Sequence, residues 1–247
     1  SPSTLVTDIA TGTDFSCAIV DSQVKCWGFN NYGQLGQGHT QYKGDHTNEM
    51  GSNLSAIDLG SGLTPVSIVT GTTHACALLD DGSVKCWGNN SYGRLGIGNT
   101  INRGDNSDEM GDNLPVVALG TGRTVVEIAA GWDYTCARLD NGSVKCWGYN
   151  GYGNLGLGDT SNRGDSLDET GDSLPVVDLG TDKTALAIAA GAYHTCAVLN
   201  DGGLKCWGYN GYGGLGVGDN IQRGDGINEM GDNLPIVDLG TSRTAVS

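Results

Sequence analysis

Short apolar stretches separated by turn residues run through the whole chain and predict β-strands. In one clear example, an apolar and partly β-branched run covers residues 125–130. Two further runs, at residues 134–139 and 144–147, flank Asp140-Asn141-Gly142, which is a hairpin turn signal. No window of about 12 residues carries the apolar period of about 3.6 residues that an amphipathic helix needs. The pattern therefore predicts an all-β fold.

This pattern repeats about every 60 residues. The phrase Val-Lys-Cys-Trp-Gly occurs four times, with Leu in place of Val in the last copy. Its tryptophans are Trp27, Trp87, Trp147 and Trp207. Two more phrases recur with the same period, and in the second copy they occupy residues 92–98 and 111–115. The chain is thus predicted to be a single repeat domain, residues 1–247, with repeats at approximately 5–66, 67–126, 127–186 and 187–247. Short strands, many glycines and this long period favour a β-propeller or a related repeat array.

The stretch from Gly191 to Gly218 resembles the RCC1-type repeat. It reads Gly-x-x-His-Thr-Cys-Ala-x-Leu-x-Asp-Gly-x-x-Lys-Cys-Trp-Gly-x-Asn-x-x-Gly-x-Leu-Gly-x-Gly, and counterparts begin at Gly12, Gly71 and Gly131. The motif is long and specific, and the resemblance covers essentially the whole chain. Known members of the family are seven-bladed propellers, so the resemblance implies four-stranded blades.

Four repeats instead of seven leave open how the array closes. Residues 244–247 align with residues 124–127, the opening strand of a repeat, and residues 5–12 already supply that strand for the first repeat. A ring closed by its own termini does not need this strand twice. We therefore predict an open arc or a part of a longer array, associating head-to-tail. A closed four-bladed propeller is the alternative, because four blades lie within the known range.

Charge and composition narrow the choice of partners. The chain has 13 Lys and Arg against 28 Asp and Glu, a net charge of −15, so it repels phosphate backbones and nucleic acid is not an expected partner. No run approaches the roughly 18 apolar residues of a membrane-spanning helix. Proteins, including further copies of the same repeat, are the expected partners.

Eight cysteines fall into four pairs, one in each predicted hairpin. The pairs are Cys17 with Cys26, Cys76 with Cys86, Cys136 with Cys146, and Cys196 with Cys206. Pairing Leu79 with Ser83 across the second turn places the two cysteines of that hairpin opposite each other. The first turn is one residue shorter, yet pairing Val20 with Gln23 has the same result. This predicts four cross-strand disulfides, whose Cβ atoms must lie about 4 Å apart.

Two other roles for the cysteines are weighed against disulfides. Eight buried free thiols acting as small core residues are one alternative. Zinc is disfavoured because the pairs lack the short Cys-x₂₋₄-Cys spacing. Disulfides persist in oxidising compartments, so we predict an extracellular or cell-surface location. Glycosylation sequons at Asn53, Asn89 and Asn141 fit a secretory route, although an Asn- and Ser-rich repeat also produces sequons by composition alone.

An acidic loop in each repeat is the most chemically suggestive feature. In the second and third repeats its carboxylates are Asp105, Asp108, Glu109 and Asp112, and Asp165, Asp168, Glu169 and Asp172. Hard oxygen ligands this close in sequence, interleaved with glycine, are suited to Ca²⁺, which is the only cofactor that the sequence suggests. The alternative is a solvated acidic turn whose side chains bind local backbone N–H groups, with no cofactor at all.

Two further features suggest binding. Three Arg-Gly-Asp tripeptides occur, at Arg103 to Asp105, Arg163 to Asp165 and Arg223 to Asp225, and indicate either cell adhesion or simple copying of one ancestral tripeptide with its repeat. Trp132 is the second feature, because its counterparts are Thr13, Thr72 and Ala192. A large aromatic side chain with no structural duty in the other repeats is a candidate for a local contact. The repeated tryptophans and tyrosines, in contrast, are expected to be buried between blades, and a sugar-stacking surface is the alternative for them.

Catalysis has little support in the sequence. No Gly-x-Ser-x-Gly, His-Glu-x-x-His or phosphate-cradling loop occurs, and the position of His74 is taken by Phe15, Tyr134 and His194 in the other repeats. We therefore predict a secreted, non-catalytic structural scaffold or protein-interaction surface. A specific binding module (a protein inhibitor, or a binder of sugar or a cell-adhesion ligand, with or without Ca²⁺) is the alternative. The resemblance also raises guanine-nucleotide exchange, which the charge and the cysteines disfavour.

Overall fold

A computed structural model describes residues 5–240 and shows four similar three-stranded antiparallel sheets in sequence order. The strands are β1 (Val6–Thr11), β2 (Phe15–Val20), β3 (Gln23–Gly28), β4 (Pro65–Thr70), β5 (His74–Leu79), β6 (Val84–Gly88), β7 (Val125–Ala130), β8 (Tyr134–Leu139), β9 (Val144–Gly148), β10 (Ala185–Ala190), β11 (His194–Leu199) and β12 (Leu204–Gly208). Short 3-10 helices lie at Gly51–Asn53, Gly111–Asn113, Leu167–Glu169, Gly171–Ser173 and Gly231–Asn233. No helix within residues 5–240 is long and apolar enough to cross a membrane.

The hairpin registers are those predicted from the sequence. Cys17 lies opposite Cys26 and Cys76 opposite Cys86, and all four predicted pairs form disulfides. The first hairpin closes on Asp21 and Ser22, both with positive φ (50° and 63°), as a two-residue type I′ turn requires. The longer second turn places its positive φ of 79° on Gly82. Turn length and turn conformation thus change together and keep the cysteines face to face.

Each sheet has three strands, so the expectation of four-stranded blades was wrong. The segment where a fourth strand was expected meets the sheet at one backbone hydrogen bond, for example from Val117 N to Val84 O at 2.8 Å in the second repeat. In three repeats this segment begins with a proline (Pro115, Pro175, Pro235), which has no N–H to donate to a ladder. The segment therefore covers the outer edge of the blade without pairing along it.

The core lies between consecutive repeats. Each of three apolar clusters combines one repeat with the next, and each includes a leucine from the first of the two and the repeated tryptophan from the second, as with Leu35 and Trp87. β1 packs on β4, β4 on β7 and β7 on β10. Within residues 5–240 the first and fourth sheets do not pack on each other in this way, so the described structure is an open arc. The surplus strand expected at residues 244–247 lies outside the described residues.

Candidate interaction surfaces

One set of contacts joins each repeat to the next. The Trp87 indole Nε1 donates to the Gln34 carbonyl oxygen at 3.0 Å, and Trp87 is fully buried, as expected. The same bond occurs in the next two interfaces, from Trp147 to Arg94 at 3.0 Å and from Trp207 to Asn154 at 3.1 Å. Since the acceptor is a backbone carbonyl, the side chain at that position is free to vary between repeats.

Buried lysines make a second set of bonds between repeats. Lys85 Nζ donates to the carbonyl oxygens of Leu59, in the preceding repeat, and Gly111, at 2.9 and 2.8 Å. Lys205 makes the corresponding two bonds to Leu179 and Gly231. Burial lowers the pKa of Lys205, and the nearby carboxylates, led by Asp232, oppose this shift. The ammonium groups therefore act as fixed cross-links rather than as free surface charges.

The Arg-Gly-Asp tripeptides are part of these interfaces. A Cβ on Gly33 would lie 2.3 Å from Asp105 N, and the φ of Gly33 is +77°, so only glycine lets the Asp105 backbone approach this closely. Gly104 is buried, and its carbonyl oxygen accepts a hydrogen bond from Gly38 N at 3.0 Å. The backbone N of Asp165 lies equally close to Gly93, and the backbone N of Asp225 lies equally close to Gly153. The tripeptides therefore join repeats, a role that the sequence did not reveal.

The acidic loop residues mostly bind protein groups. Asp112 accepts hydrogen bonds from Ser61 N and Ser61 Oγ at 2.8 and 2.7 Å, and Asp172 and Asp232 do the same to Thr121 and Thr181. These hydrogen bonds lower the pKa of Asp112, Asp172 and Asp232. They cross between repeats at a separation of 51 residues, which no local pattern could predict.

The four carboxylates chosen as candidate Ca²⁺ ligands do not all converge in the second or third repeat. Two of them meet in each loop, Asp105 with Glu109 and Asp165 with Glu169, and burial together with this contact raises the pKa of Asp105 and of Glu169. Glu109 Oε2 accepts backbone N–H groups from Gly104 and Asn106, both at 3.0 Å. Asp108 is exposed with a φ of 65°, and Asp168 accepts from Ser166 Oγ. Within residues 5–240, the one group of three close ligand atoms lies on the first repeat: it comprises Asp45, His46 and Glu49, and the first two are exposed.

The sequons and the histidines differ in exposure. Asn53 and Asn141 are exposed, and Asn141 lies at a hairpin tip, as expected. Asn89 is buried, and its side-chain oxygen accepts hydrogen bonds from Ser91 N and Oγ at 2.8 Å.

His74 is also buried, and burial together with the charge of Arg94 holds its pKa well below the usual value.

Among the residues that the structure describes, the first repeat has no neighbouring repeat on one face, which we call the leading face (Val6, Ile9, Lys25, Trp27 and Met50). It lines a groove of about 680 Å³. Trp27 and Lys25 are partly exposed, whereas their counterparts in the other three repeats are buried. The leading face therefore carries the groups with which the later repeats contact a preceding repeat.

Within residues 5–240, the fourth repeat has no neighbouring repeat on its opposite face, which we call the trailing face (Tyr212, Gly213, Gly214, Gly216 and Leu239). Leu239 is 53% exposed, whereas its counterparts Leu59, Leu119 and Leu179 are 4–7% exposed. A Cβ on Gly213 would meet nothing nearer than 3.9 Å, in contrast to 2.3 Å at Gly153. The trailing face thus corresponds to the surface with which each of the first three repeats contacts the repeat that follows it.

Aromatic side chains gather at a third surface, around the loops that precede β8 and β11 and follow β6, β9 and β12. Trp132 is 51% exposed there and lies 5.2 Å from Tyr193, between ring centroids. Trp132, which the sequence makes a candidate for a local contact, is therefore accessible at this surface. Next to these rings, loops from all four repeats line a central cavity of about 320 Å³.

Comparisons with known proteins agree with the repeat geometry. Family profiles described as "Regulator of chromosome condensation (RCC1) repeat" match residues 6–34, 66–94, 125–154 and 186–213, and, for a second profile, residues 81–138 and 141–198. The ultraviolet-B receptor UVR8 of Arabidopsis thaliana is 30% identical over 218 residues, which are 87% of this chain and 44% of the receptor. The human E3 ubiquitin-protein ligase HERC2 is 29% identical over 215 residues, 86% of this chain and 4% of the ligase. The chain therefore spans less than half the length of these relatives.

Solved structures share the fold. The structure of Prp20p from Saccharomyces cerevisiae matches with a TM-score of 0.68 and 18% identity, over 98% of this chain and 52% of that one. Yeast RCC1 (Prp20) bound to Kap60 matches with a TM-score of 0.64 and 19% identity, over 98% of this chain and 50% of that one. At these identities the likeness establishes the fold alone.

Proposed function

The chain belongs to the RCC1 repeat family, and we propose that it is a secreted, non-catalytic repeat scaffold that assembles head-to-tail through its leading and trailing faces, within a longer chain or between chains. The observation that carries this proposal is the repeated interface: the same contacts join three pairs of consecutive repeats. The first and fourth repeats each present one half of that contact. A heterologous contact of this kind gives a closed ring or an open filament.

The internal interfaces specify which atoms would meet between two copies. Trp27 Nε1 would donate to Gly214 O, because Trp207 Nε1 donates to Asn154 O one repeat earlier. Lys25 Nζ would reach Leu239 O, as Lys205 reaches Leu179 O. Gly51 N would donate to Asp238 O, as Gly231 donates to Asp178 at 3.0 Å. Each of these groups is present on the open faces in this chain.

Burial of apolar surface supplies the driving force. Val6 and Ile9 are 53% and 69% exposed on the leading face, next to a groove lined by Trp27 and Met50. Leu239 is similarly exposed on the trailing face. Apolar surface removed from water contributes about 25 cal/mol per Å² before the costs of association, so large exposed aliphatic side chains of this kind mark a contact surface.

The disulfides support an extracellular scaffold. All eight cysteines are paired, and each pair closes a loop within one hairpin, at sequence separations of 9 or 10 residues. Such bonds persist in oxidising compartments. Protein binding by RCC1-type propellers has precedent in the yeast RCC1 structure with Kap60. A repeat array with four covalent cross-links suits a structural role that has to resist unfolding.

The test is the mass of the oxidised chain by light scattering over a range of concentrations. We expect mass to rise with concentration, and we expect the double substitution Val237→Asp and Leu239→Asp to abolish the rise. Val237 has buried counterparts in Val117 and Val177, which the following repeat covers. A monomer at high concentration, unaltered by the double substitution, would overturn the proposal.

Ile236→Asp is the matched control. Ile236 is 53% exposed, and its counterparts Val116 and Val176 are 49% and 50% exposed although a repeat follows each of them. The position therefore lies outside the contact between repeats. We expect Ile236→Asp to associate like the unaltered chain. Equal loss of association in the control and in the double variant would show that added charge alone, and not the trailing face, is responsible.

A further inference from the structure

Seven aromatic side chains of the second, third and fourth repeats form one continuous surface, which we call the aromatic band. Its members are Tyr92, Trp132, Tyr149, Tyr152, Tyr193, Tyr209 and Tyr212. Neighbouring rings have centroid separations of 4.9–6.1 Å, the spacing of interacting aromatic pairs. The band crosses both interfaces between these repeats, so its rings are held in place by three blades.

Four of these rings (Trp132, Tyr149, Tyr193 and Tyr209) lie at positions that are not aromatic in every repeat, whereas Tyr92, Tyr152 and Tyr212 recur in all four repeats, with Tyr32 in the first. At the position of Tyr193 the other repeats have Asp14, Thr73 and Asp133. At the position of Tyr149 the second repeat has Asn89, which interrupts the band before it reaches the first repeat. The tryptophans that pack between repeats are a separate set. At the positions of Trp132 and Tyr193 no other repeat has an aromatic residue, so the addition of these two rings to the recurring tyrosines is explained better by binding than by stability.

The band is open to solvent at several points. Trp132 is 51% exposed, Tyr92 38% and Tyr212 95%, and the remaining four rings are partly exposed. Tyrosine and tryptophan supply large contact areas at low entropic cost and are enriched in the central contacts of protein interfaces. A contiguous aromatic surface of this kind indicates an interaction site.

The charges around the band favour a cationic partner. The loops that carry it contain the carboxylate of Asp133 and no lysine. The Arg94 guanidinium lies over the Tyr92 ring, 5.2 Å from its centre, is buried, and is paired with the Asp133 carboxylate at 2.6 Å. Burial, and then neighbouring tyrosines and Asp133, raise the pKa of Tyr149. Arg163 and Arg223, whose backbones pair with Gly148 and Gly208 beside the band, are each bound to a carboxylate, Asp159 and Asp219. The chain as a whole has a net charge of −15, which favours a basic ligand.

We propose that the aromatic band binds a basic polypeptide segment, whose arginine side chains stack on Trp132 and the tyrosine rings. Guanidinium groups are attracted to aromatic faces within about 6 Å, and arginine does this more often than lysine. Arg94 above Tyr92 is an internal example of the same contact. The acidic chain raises the rate of encounter with such a segment, and the rings fix it in place.

Ring orientation distinguishes this partner from a carbohydrate. A sugar ring stacks flat on an aromatic face, so a glycan chain needs ring faces that point the same way. Neighbouring rings of the band are instead tilted by 54–76° to each other. They present faces and edges in alternation, which suits separate side chains of a peptide better than a flat saccharide.

The test uses a fluorescent peptide of alternating arginine and glycine, with the equivalent lysine and glutamine peptides beside it. Fluorescence anisotropy at low protein concentration gives the dissociation constants. We expect the arginine peptide to bind more tightly than the lysine peptide, and the glutamine peptide not to bind. Equal binding of the arginine and lysine peptides, or binding of the glutamine peptide, would overturn the proposal.

Variants separate the rings from the overall charge. Trp132→Thr and Tyr193→Thr introduce the residues that the second repeat has at these positions, Thr72 and Thr73, so the fold is expected to tolerate them. Loss of two cation–π contacts should weaken arginine-peptide binding about tenfold.

Tyr42→Thr is the control for the Thr variants: Tyr42 is 41% exposed on the first repeat, outside the band. It should leave the arginine-peptide dissociation constant unchanged. Equal affinity of the Thr variants and the unaltered chain would show that net charge alone attracts the peptide. Binding of a cello-oligosaccharide that is lost in the Thr variants, with no arginine-peptide binding, would assign the band to sugar instead.

Discussion

The indole Nε1 of Trp87 lies 3.0 Å from the carbonyl oxygen of Gln34, so the tryptophan of one repeat is held by the backbone of the repeat before it. Trp147 and Trp207 repeat this relationship. Trp27 has no preceding repeat among residues 5–240 and is partly exposed. Four chemically identical side chains thus occupy two kinds of environment, and the difference follows from neighbouring repeats alone.

Replacement of these tryptophans should therefore have unequal effects on stability. Trp147→Ala removes a fully buried indole, which typically costs about 3–5 kcal/mol of unfolding free energy. Trp27→Ala should cost clearly less in the monomer, because its indole is already partly in water. Urea denaturation of dilute, monomeric protein measures both. Similar losses for the two variants would mean that Trp27 is already covered in the monomer.

The four disulfides should appear as a mass deficit of eight hydrogens against the fully reduced chain. Alkylation without reductant should label no cysteine, because all eight are paired. Protein from its natural source should give the same result, since the proposal places it in an oxidising compartment. Labelling of that material without reductant would contradict the secreted assignment, even if the purified chain oxidises in air.

Local features of the fold were predictable from the sequence. Counting outward from each hairpin turn identified Cys76 and Cys86 as partners, because antiparallel register is determined by the turn. The 60-residue period identified the repeats, and the family resemblance identified the blade type. The number of strands per blade was predicted wrongly, because it was taken from the family and not from these residues.

Contacts between repeats were beyond prediction from the sequence. Asp112 was a candidate metal ligand because of its neighbours in sequence, yet its partner is Ser61, 51 residues earlier. Asp105 was a candidate adhesion residue, yet its backbone packs against Gly33 of the previous repeat. Of the aromatic band, only Trp132 was predicted to make a contact, because it differs from its counterparts, and the recurring tyrosines were expected to be buried with the tryptophans. The tyrosines recur with the repeat, so only the three-dimensional arrangement shows that they meet.

Stability should fall between pH 7 and pH 5 because of His74. Its imidazole is buried, with Nε2 2.9 Å from Thr135 Oγ1, and its pKa in the folded state is held well below the usual value of about 6.5. Above pH 6.5 the imidazole is neutral in both states and has no effect. Below it, the unfolded chain binds a proton that the folded chain does not, so the unfolding free energy decreases by up to about 1.4 kcal/mol per pH unit.

His74→Tyr isolates this contribution. Tyr134 occupies the same position in the third repeat, and Thr195 Oγ1 donates to its hydroxyl at 3.0 Å. The variant therefore keeps a partner for Thr135 and removes the titrating imidazole. Urea denaturation at pH 7, 6 and 5 should show a shallower loss for the variant, with the remainder assigned in part to His194, whose pKa burial also lowers. Identical pH profiles would show that folding does not lower the pKa of His74.

Removal of divalent cations should leave the thermal midpoint unchanged. A Ca²⁺ ion needs six to eight oxygen ligands, but both carboxylate oxygens of Asp112 already accept hydrogen bonds from Ser61, and Glu109 binds two backbone N–H groups. Binding in the second repeat would have to break the link between repeats. If a site bound Ca²⁺, a free Ca²⁺ concentration 100 times its dissociation constant would add about 2.7 kcal/mol to the unfolding free energy. Scanning calorimetry with Ca²⁺ and with EDTA would detect this difference.

The third repeat gives the variant for this experiment. Asp172→Asn weakens the hydrogen bonds to Thr121, so it should lower the thermal midpoint by the same amount in Ca²⁺ and in EDTA. If the loop instead bound the ion, EDTA would lower the midpoint of the unaltered chain and the variant would respond less. An equal loss of stability in Ca²⁺ and in EDTA would mean that the acidic loops stabilise the contact between repeats. Carboxylates that hold two repeats together contribute to stability whether or not a cation is present.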